Sequence, residues 1–190
     1  MKGKPKTTAV SAMDQAHLAL IRKQAAAFWQ RAAETCLSFP GRILEIAPQE
    51  HGGLRPLLPP RLKVETLDID PLAGATHTGD LCRRNEAIED GAFDCIVCTE
   101  VLEHTLQPFD AMAELHRMLA EGGLLFLSVP FNFRIHGPLP DCWRFTEHGL
   151  RVLLADFRIL ELEALETPDR PLMPVHYTVL ARKPERRSHG

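Results

Sequence analysis

Three acidic side chains in this 190-residue chain stand where a short apolar run gives way to polar sequence. Asp68 lies near the end of the run Val64 to Ile69, Asp80 follows a weaker run near Ala75 to Thr78, and Glu100, preceded by Thr99, follows Phe93 to Cys98. A carboxylate placed there can accept both hydroxyls of an adenosine ribose, the usual use of an acid about 20 residues beyond the first turn of a nucleotide-binding sheet. One such acid is common in any turn, whereas three in succession point to a nucleoside pocket. Upstream, Pro48-Gln49-Glu50-His51-Gly52-Gly53 follows the first apolar run and is expected to open a helix whose positive N-terminus could meet an anionic group.

The histidines and cysteines suggest less. Nine histidines are scattered, with no His-x-x-x-His pair on one helix and no Cys/His quartet, so no metal is expected. His116 and His148 are expected on solvated helix faces. Cys95 and Cys98 form a C-x-x-C, but inside an apolar strand, where residues three apart face opposite ways and cannot easily share a metal or a disulfide. Five cysteines, odd in number and dispersed, are unlike a disulfide framework.

The elements that must position these acids follow from periodicity. Ser11 and Asp14 offer a capping pattern for a long helix, along which Leu18, Ile21, Ala25, Phe28, Trp29 and Ala32 make one apolar stripe. From Arg42 onward the runs Ile43 to Ala47, Val64 to Ile69, Ala75 to Thr78, Phe93 to Cys98 and Leu124 to Val129 alternate with connections long enough for crossover helices. The clearest of these helices opens at Pro108, continues through Met112, Leu115 and Leu119, and is expected to stop at Gly122-Gly123. Near-continuous apolar strands separated by helices imply a mostly parallel sheet covered on both faces. The last two strands, around Leu160 to Ala164 and Tyr177 to Ala181, are joined by a Pro-rich loop too short for a helical crossover, so they should pair antiparallel.

Length allows one domain, placed at residues 11–183 between basic tails at 1–10 and 184–190, the first expected to be disordered. A formal net charge of -3 gives no general attraction to nucleic acid or membrane. The N-terminal lysines have no apolar segment behind them, and no stretch approaches the roughly 18 apolar residues of a membrane span, so the chain is expected in the cytoplasm.

The string FDCIVCTEVLEHTLQPFDAMAELHRMLAEGGLLFLSVP closely resembles the core of class I S-adenosylmethionine-dependent methyltransferases of the type 11 kind. RILEIAP is similar to the first motif of that family, TLDIDP to the second, and HGPLPDCWRFTEHGL to a segment after the fifth strand in one branch; together these cover about residues 42–180. The resemblance implies an α/β, Rossmann-like, doubly wound sheet of seven mostly parallel strands with an antiparallel last strand. It implies S-adenosylmethionine as cofactor and a small-molecule or saccharide-type acceptor. By position, Glu45 and Ala47 would line the turn beside the methionine part, Asp68 would hold the ribose diol, and Ile69 would touch the adenine. Asp80, with Leu81 beside it, would accept the adenine amino group, and Thr99 and Glu100 would flank the sulfonium. The sequence departs from the family at the first turn, where Gly-x-Gly-x-Gly is replaced by Ala47, Gln49 and His51, and Pro48 removes a backbone donor.

Methyl transfer is an in-line displacement that needs alignment above all, and a base only where the acceptor holds its proton tightly. His104 in the V-L-E-H turn, and His136 and Asp141 in the loop after the fifth strand, are the candidates for catalytic groups over the sulfonium end. The plainer alternative has Glu103 and His104 capping the turn. Trp143 and Phe145 could stack on an acceptor or belong to the core. Two other readings stand beside the small-molecule enzyme: a binding or scaffold protein that keeps the fold without catalysis, and a methyltransferase acting on RNA or protein through the basic tails. A nicotinamide dehydrogenase fits poorly, since no G-x-G-x-x-G opens the first helix.

Overall fold

The computed structural model describes residues 10–38, 41–48 and 53–185. Most of both basic tails, and Gln49, Glu50, His51 and Gly52 of the first turn, lie outside the described residues. The first helix, α1 (Ala12–Leu37), begins as expected, with Ser11 Oγ accepting the Asp14 N–H at 3.0 Å. Seven strands follow: β1 (Ile43–Ile46), β2 (Val64–Asp68), β3 (His77–Thr78), β4 (Phe93–Thr99), β5 (Leu119–Pro130), β6 (Arg158–Leu165) and β7 (His176–Arg182). They form one sheet in the order β3-β2-β1-β4-β5-β7-β6. Every pair from β3 to β5 is parallel, and β7 runs antiparallel to both β5 and β6. Strand order reverses between β1 and β4, which places a binding crevice beyond their carboxyl ends.

Helices cover both faces. On one side Phe28, Ala32, Ala33 and Cys36 of α1 pack against Ile43, Cys95, Val97 and Phe126. On the other, α2 (Pro108–Met118) and α3 (Glu147–Leu153) bury Met112, Leu115, Leu150 and Leu153 against Leu44, Ile96, Cys98 and Leu125. Cys95 and Cys98 therefore do face opposite layers. Burial on both faces explains why the inner strands lack polar alternation.

Two expectations need correction. The helix from Pro108 ends at Met118, because Leu119 turns extended (ψ 135) and pairs with Phe93 at the start of β5. Gly122, at φ 75, and Gly123, whose added Cβ would lie 2.8 Å from the Ala120 carbonyl oxygen, form a tight bend inside that strand instead of stopping a helix. The connections from β1 to β4 also carry no crossover α-helix among the described residues; a 3₁₀ turn, Arg55–Leu57, and short loops suffice. His116 is half-buried and packs edge-on against Phe157 with centroids 5.1 Å apart, so its helix face is not a solvated one.

A buried ion pair does work that the missing helix between β3 and β4 would otherwise do. Glu114 of α2, only 5% exposed, takes Arg117 Nε at 2.7 Å and the Asn85 N–H at 2.8 Å. Burial pushes the Glu114 carboxyl up, but the Arg117 and Asn85 hydrogen bonds outweigh it and hold the pKa below the usual range. A depressed folded-state pKa stabilises above the unfolded carboxylate pKa, and that stability is lost as pH falls through the folded value. Glu114→Gln should therefore lose about 1–2 kcal/mol at pH 7, with the gap to wild type narrowing below about pH 4; urea unfolding at both pH values checks this, and a gap independent of pH would contradict it.

Candidate active site

The carboxyl end of β1 is closed from behind by its own glutamate. Glu45 is buried, and its Oε1 accepts the Leu54 N–H at 2.8 Å. Burial pushes its carboxyl up, against the pull of the Leu54 and Arg55 N–H groups. Gly53, at φ 113, presses on that carboxylate: a Cβ there would lie 2.5 Å from Oε1. Glu45 thus draws the far end of the first loop back onto β1. Ala47 stands at φ 45, a left-handed conformation that favours glycine, and its N–H is held by the Leu67 carbonyl at 2.8 Å. The alanine is therefore more than an added methyl group, since its backbone adopts a conformation that costs an L-residue and favours glycine.

At the end of β2, Asp68 is half-buried, and Oδ1 accepts the Asp70 N–H at 2.9 Å, which turns the chain sharply. Oδ2 has no hydrogen-bond partner among the described residues. Ile69, beside it, is 69% exposed. After β3, Asp80 Oδ1 caps the following turn through the Cys82 N–H at 2.8 Å, while Leu81 is buried in the core. The sheet therefore presents a carboxylate oxygen, an apolar ledge and a second half-buried acid along one edge.

At the end of β4 the chain enters a second left-handed residue, Glu100 at φ 54. Its Oε1 receives Ser128 Oγ of β5 at 2.7 Å and lies 2.6 Å from His176 Nε2 of β7. Burial pushes the Glu100 carboxyl up, but His176 and Ser128 outweigh it, and the pKa is lowered. His176, itself fully buried, reaches Gln24 Oε1 of α1 through Nδ1 at 2.6 Å. Two more bonds fasten α1 across the strand ends: Trp29 Nε1 donates to Thr99 Oγ1 at 3.1 Å, and His17 Nδ1 donates to the Asn132 carbonyl at 3.0 Å. Gln24, Ser128 and His176 escaped sequence reasoning. The polar spacing of His176 and Thr178 along β7 was visible, but not that both would be buried.

The turn after β4, a 3₁₀ segment Leu102–His104, meets the loop after β5. Glu103 carbonyl oxygen accepts the N–H groups of Cys142 (2.7 Å) and Trp143 (3.2 Å), clamping the loops together. His104 Nδ1 donates to the Pro140 carbonyl at 2.9 Å. Asp141 takes the His136 N–H at 2.9 Å and Arg144 at 2.5 and 2.7 Å. Burial pushes the Asp141 carboxyl up, but these bonds hold its pKa down to about 2. Burial lowers the His136 pKa, and the Asp141 charge only partly offsets this. Phe145 belongs to the core; Trp143 remains 41% exposed, with Nε1 donating to the Thr105 carbonyl at 2.8 Å. All three sequence-predicted catalytic side chains thus gather on one loop pair. A depression of about 470 Å³, lined by Asp90, His116, Arg117 and Lys183 among others, lies at the opposite end of the sheet, beside the start of β5.

Comparison with known proteins agrees with this arrangement. Over 72 residues the chain is 36% identical to the polyketide synthase ThaQ of Burkholderia thailandensis; the match takes in 35% of the chain and spans only 4% of that synthase. The structure of 1,6-didemethyltoxoflavin-N1-methyltransferase from Burkholderia thailandensis, with 1,6-didemethyltoxoflavin and S-adenosylhomocysteine bound, superposes with a TM-score of 0.60 at 18% identity over 94% of both chains. The [4+2]-cyclase SpnF superposes with a TM-score of 0.62 at 16% identity, covering 82% of this chain and 81% of the cyclase. A methyltransferase-domain family matches residues 17–162, more than half of the sequence. The chain belongs to that methyltransferase-domain family, among the class I S-adenosylmethionine-dependent methyltransferases.

Proposed function

We propose that the chain transfers a methyl group from S-adenosylmethionine to a small-molecule acceptor held between the ends of β4 and β5 and the loop of residues 131–146. The observation that carries this reading is the Asp68 carboxylate, with one oxygen open, beside the exposed side chain of Ile69 at the end of β2. A ribose diol needs the first and an adenine face the second. When bound, S-adenosylmethionine supplies an electrophilic methyl group on a sulfonium.

The chain's own residues hold and orient around it. Asp68 takes the ribose hydroxyls, Ile69 flanks the adenine, and Asp80 faces its amino group with Leu81 beneath. Glu45 and Ala47 shape the turn at the methionine end, Glu45 by holding Leu54. Glu100, kept ionised by His176 and Ser128, gives the sulfonium end a negative wall, while Thr99 anchors α1 over it. His136 is the group suited to accept a proton, since its lowered pKa leaves the ring neutral near pH 7. Asp141, held down to about 2, is a positioning residue for His136 and Arg144. His104 is tied to Pro140 and fixes the loop.

The acceptor class draws on the toxoflavin enzyme, which binds a small molecule together with the spent cofactor. Among the described residues no helix is long and apolar enough to cross a membrane, in keeping with a cytoplasmic site of action. A second reading, a protein that keeps the fold without methyl transfer, draws on Ala47, Pro48 and the likeness to a cyclase. Cofactor affinity and turnover separate the two.

Calorimetric titration with S-adenosylhomocysteine tests the pocket. Wild type should bind with micromolar affinity, and Asp68→Ala should bind about ten- to a hundredfold more weakly, the loss of about 1.5–3 kcal/mol expected for a charge-assisted bond; equal affinities would remove Asp68 from the site. Ala47→Gly should raise stability by about 0.5–1 kcal/mol, because relief of left-handed strain exceeds the added unfolded-state entropy. Lower stability of that variant in urea unfolding would contradict the strain assigned to Ala47.

A further inference from the structure

We propose that Glu103, His104 and His136 form a binding site for one divalent first-row transition ion, of the class that takes imidazole and carboxylate ligands together, zinc included. The sequence pattern led us to expect no metal, because its histidines form no local motif. The fold brings these two together from separate loops. One donor atom from each of the three residues lies within 4.8 Å of the other two. Glu103 Oε1 is 3.7 Å from His104 Nε2 and 3.8 Å from His136 Nε2. These distances are too long for hydrogen bonds. They are close to the separation of about 3.3 Å between ligands sharing a tetrahedral ion with bonds of about 2.0–2.2 Å, so small side-chain rotations would close the site.

The second observation is independent of that clustering. The Glu103 side chain is 0% exposed, yet neither of its carboxylate oxygens has a hydrogen-bond partner. A buried carboxyl left unpartnered is costly, and a fold that keeps one does so for a reason. Arg144 does not serve it, since the guanidinium is committed to Asp141 and to the carbonyls of Phe133, Arg134 and Trp143.

The outer contacts set the rings as metal ligands require. His104 Nδ1 faces the Pro140 carbonyl, an acceptor only, so Nδ1 carries the proton and Nε2 presents its lone pair toward Glu103. Asp141 Oδ2 lies 3.1 Å from His136 Nδ1 without the alignment of a hydrogen bond, and His136 Nε2 faces the same Glu103 carboxylate. A backbone carbonyl already supports one imidazole, and a small rotation of the other ring would give it the carboxylate support usual for imidazole ligands. The Glu103 carbonyl, clamped by Cys142 and Trp143, fixes the spacing of the two loops. Two imidazoles and one carboxylate favour zinc, iron, cobalt or manganese over magnesium or calcium, which take oxygen ligands throughout.

The site does not depend on the methyl-transfer reading, but an ion on Nε2 would leave His136 no free nitrogen to accept a proton, so the test is run apart from turnover. Protein stripped with a chelator is titrated with zinc by calorimetry, and with cobalt(II) while the visible d–d absorption is followed. The expected result is one ion per chain, a cobalt spectrum of four- or five-coordinate form, and a higher melting temperature with zinc. Glu103→Gln and His136→Ala should each weaken zinc binding tenfold or more, while His148→Ala, on an exposed helix position, leaves it unchanged. Circular dichroism on every variant shows that each is folded; if one is not, the other carries the comparison. Failure of stripped, folded wild type to bind zinc or cobalt would overturn the proposal, as would binding that both variants retain in full. S-adenosylhomocysteine affinity measured on the same sample tells a missing metal site from a missing cofactor pocket.

Discussion

A carboxylate taken out of water must be given donors, and Glu100 draws its donors from parts of the chain far apart in sequence. Ser128 comes from β5 and His176 from β7, and His176 passes the contact on to Gln24 of α1. The left-handed turn at Glu100 is the point where three strand ends and the N-terminal helix are joined. Removing any one partner would leave a buried charge partly unmatched, so the four positions constrain one another. The same cluster fixes the sulfonium end of the proposed cofactor site, which makes the geometry of the pocket inseparable from the pairing of β4, β5 and β7.

The other acids extend this logic along the sheet edge. Glu45 is spent on the loop N–H of Leu54, Asp80 on a turn, and Asp141 on Arg144 and His136. Asp68, like Asp80, uses only Oδ1 on a turn, whereas Glu103 keeps both oxygens unpartnered in the interior. Asp68 and Asp80 therefore carry the argument for the nucleoside, and Glu103 that for a cation.

Much of this was legible before any coordinates, for physical reasons that differ by element. The Ser11 cap, the stripe on α1 and Pro108 at the first turn of α2 are local signals, and they hold. The parallel core strands show as unbroken apolar runs because both faces are covered. The end of α2 was misplaced because Leu119 is a good helix former whose fate is decided by pairing with Phe93 across the sheet. The connection between β3 and β4 lacks the expected helix because Glu114 and Arg117, on a helix later in the chain, hold Asn85, Ile88 and Asp90 there. The partners of Glu100, and the meeting of Glu103 with His136, depend on contacts between distant segments and left no local pattern. The departure at Ala47 was visible as a residue type, whereas its positive φ belongs to the folded backbone. The likeness to SpnF shows that this fold alone does not specify methyl transfer, so function rests on the site.

The most direct test of the account is a crystal structure of the protein grown with S-adenosylhomocysteine. The ligand is expected beyond the carboxyl ends of β1, β2 and β4, with its ribose hydroxyls on the Asp68 carboxylate, its adenine beside Ile69 and its sulfur toward Glu100. A ligand bound elsewhere, or strand ends left empty at saturating ligand because Ala47 and Pro48 block the turn, would contradict it.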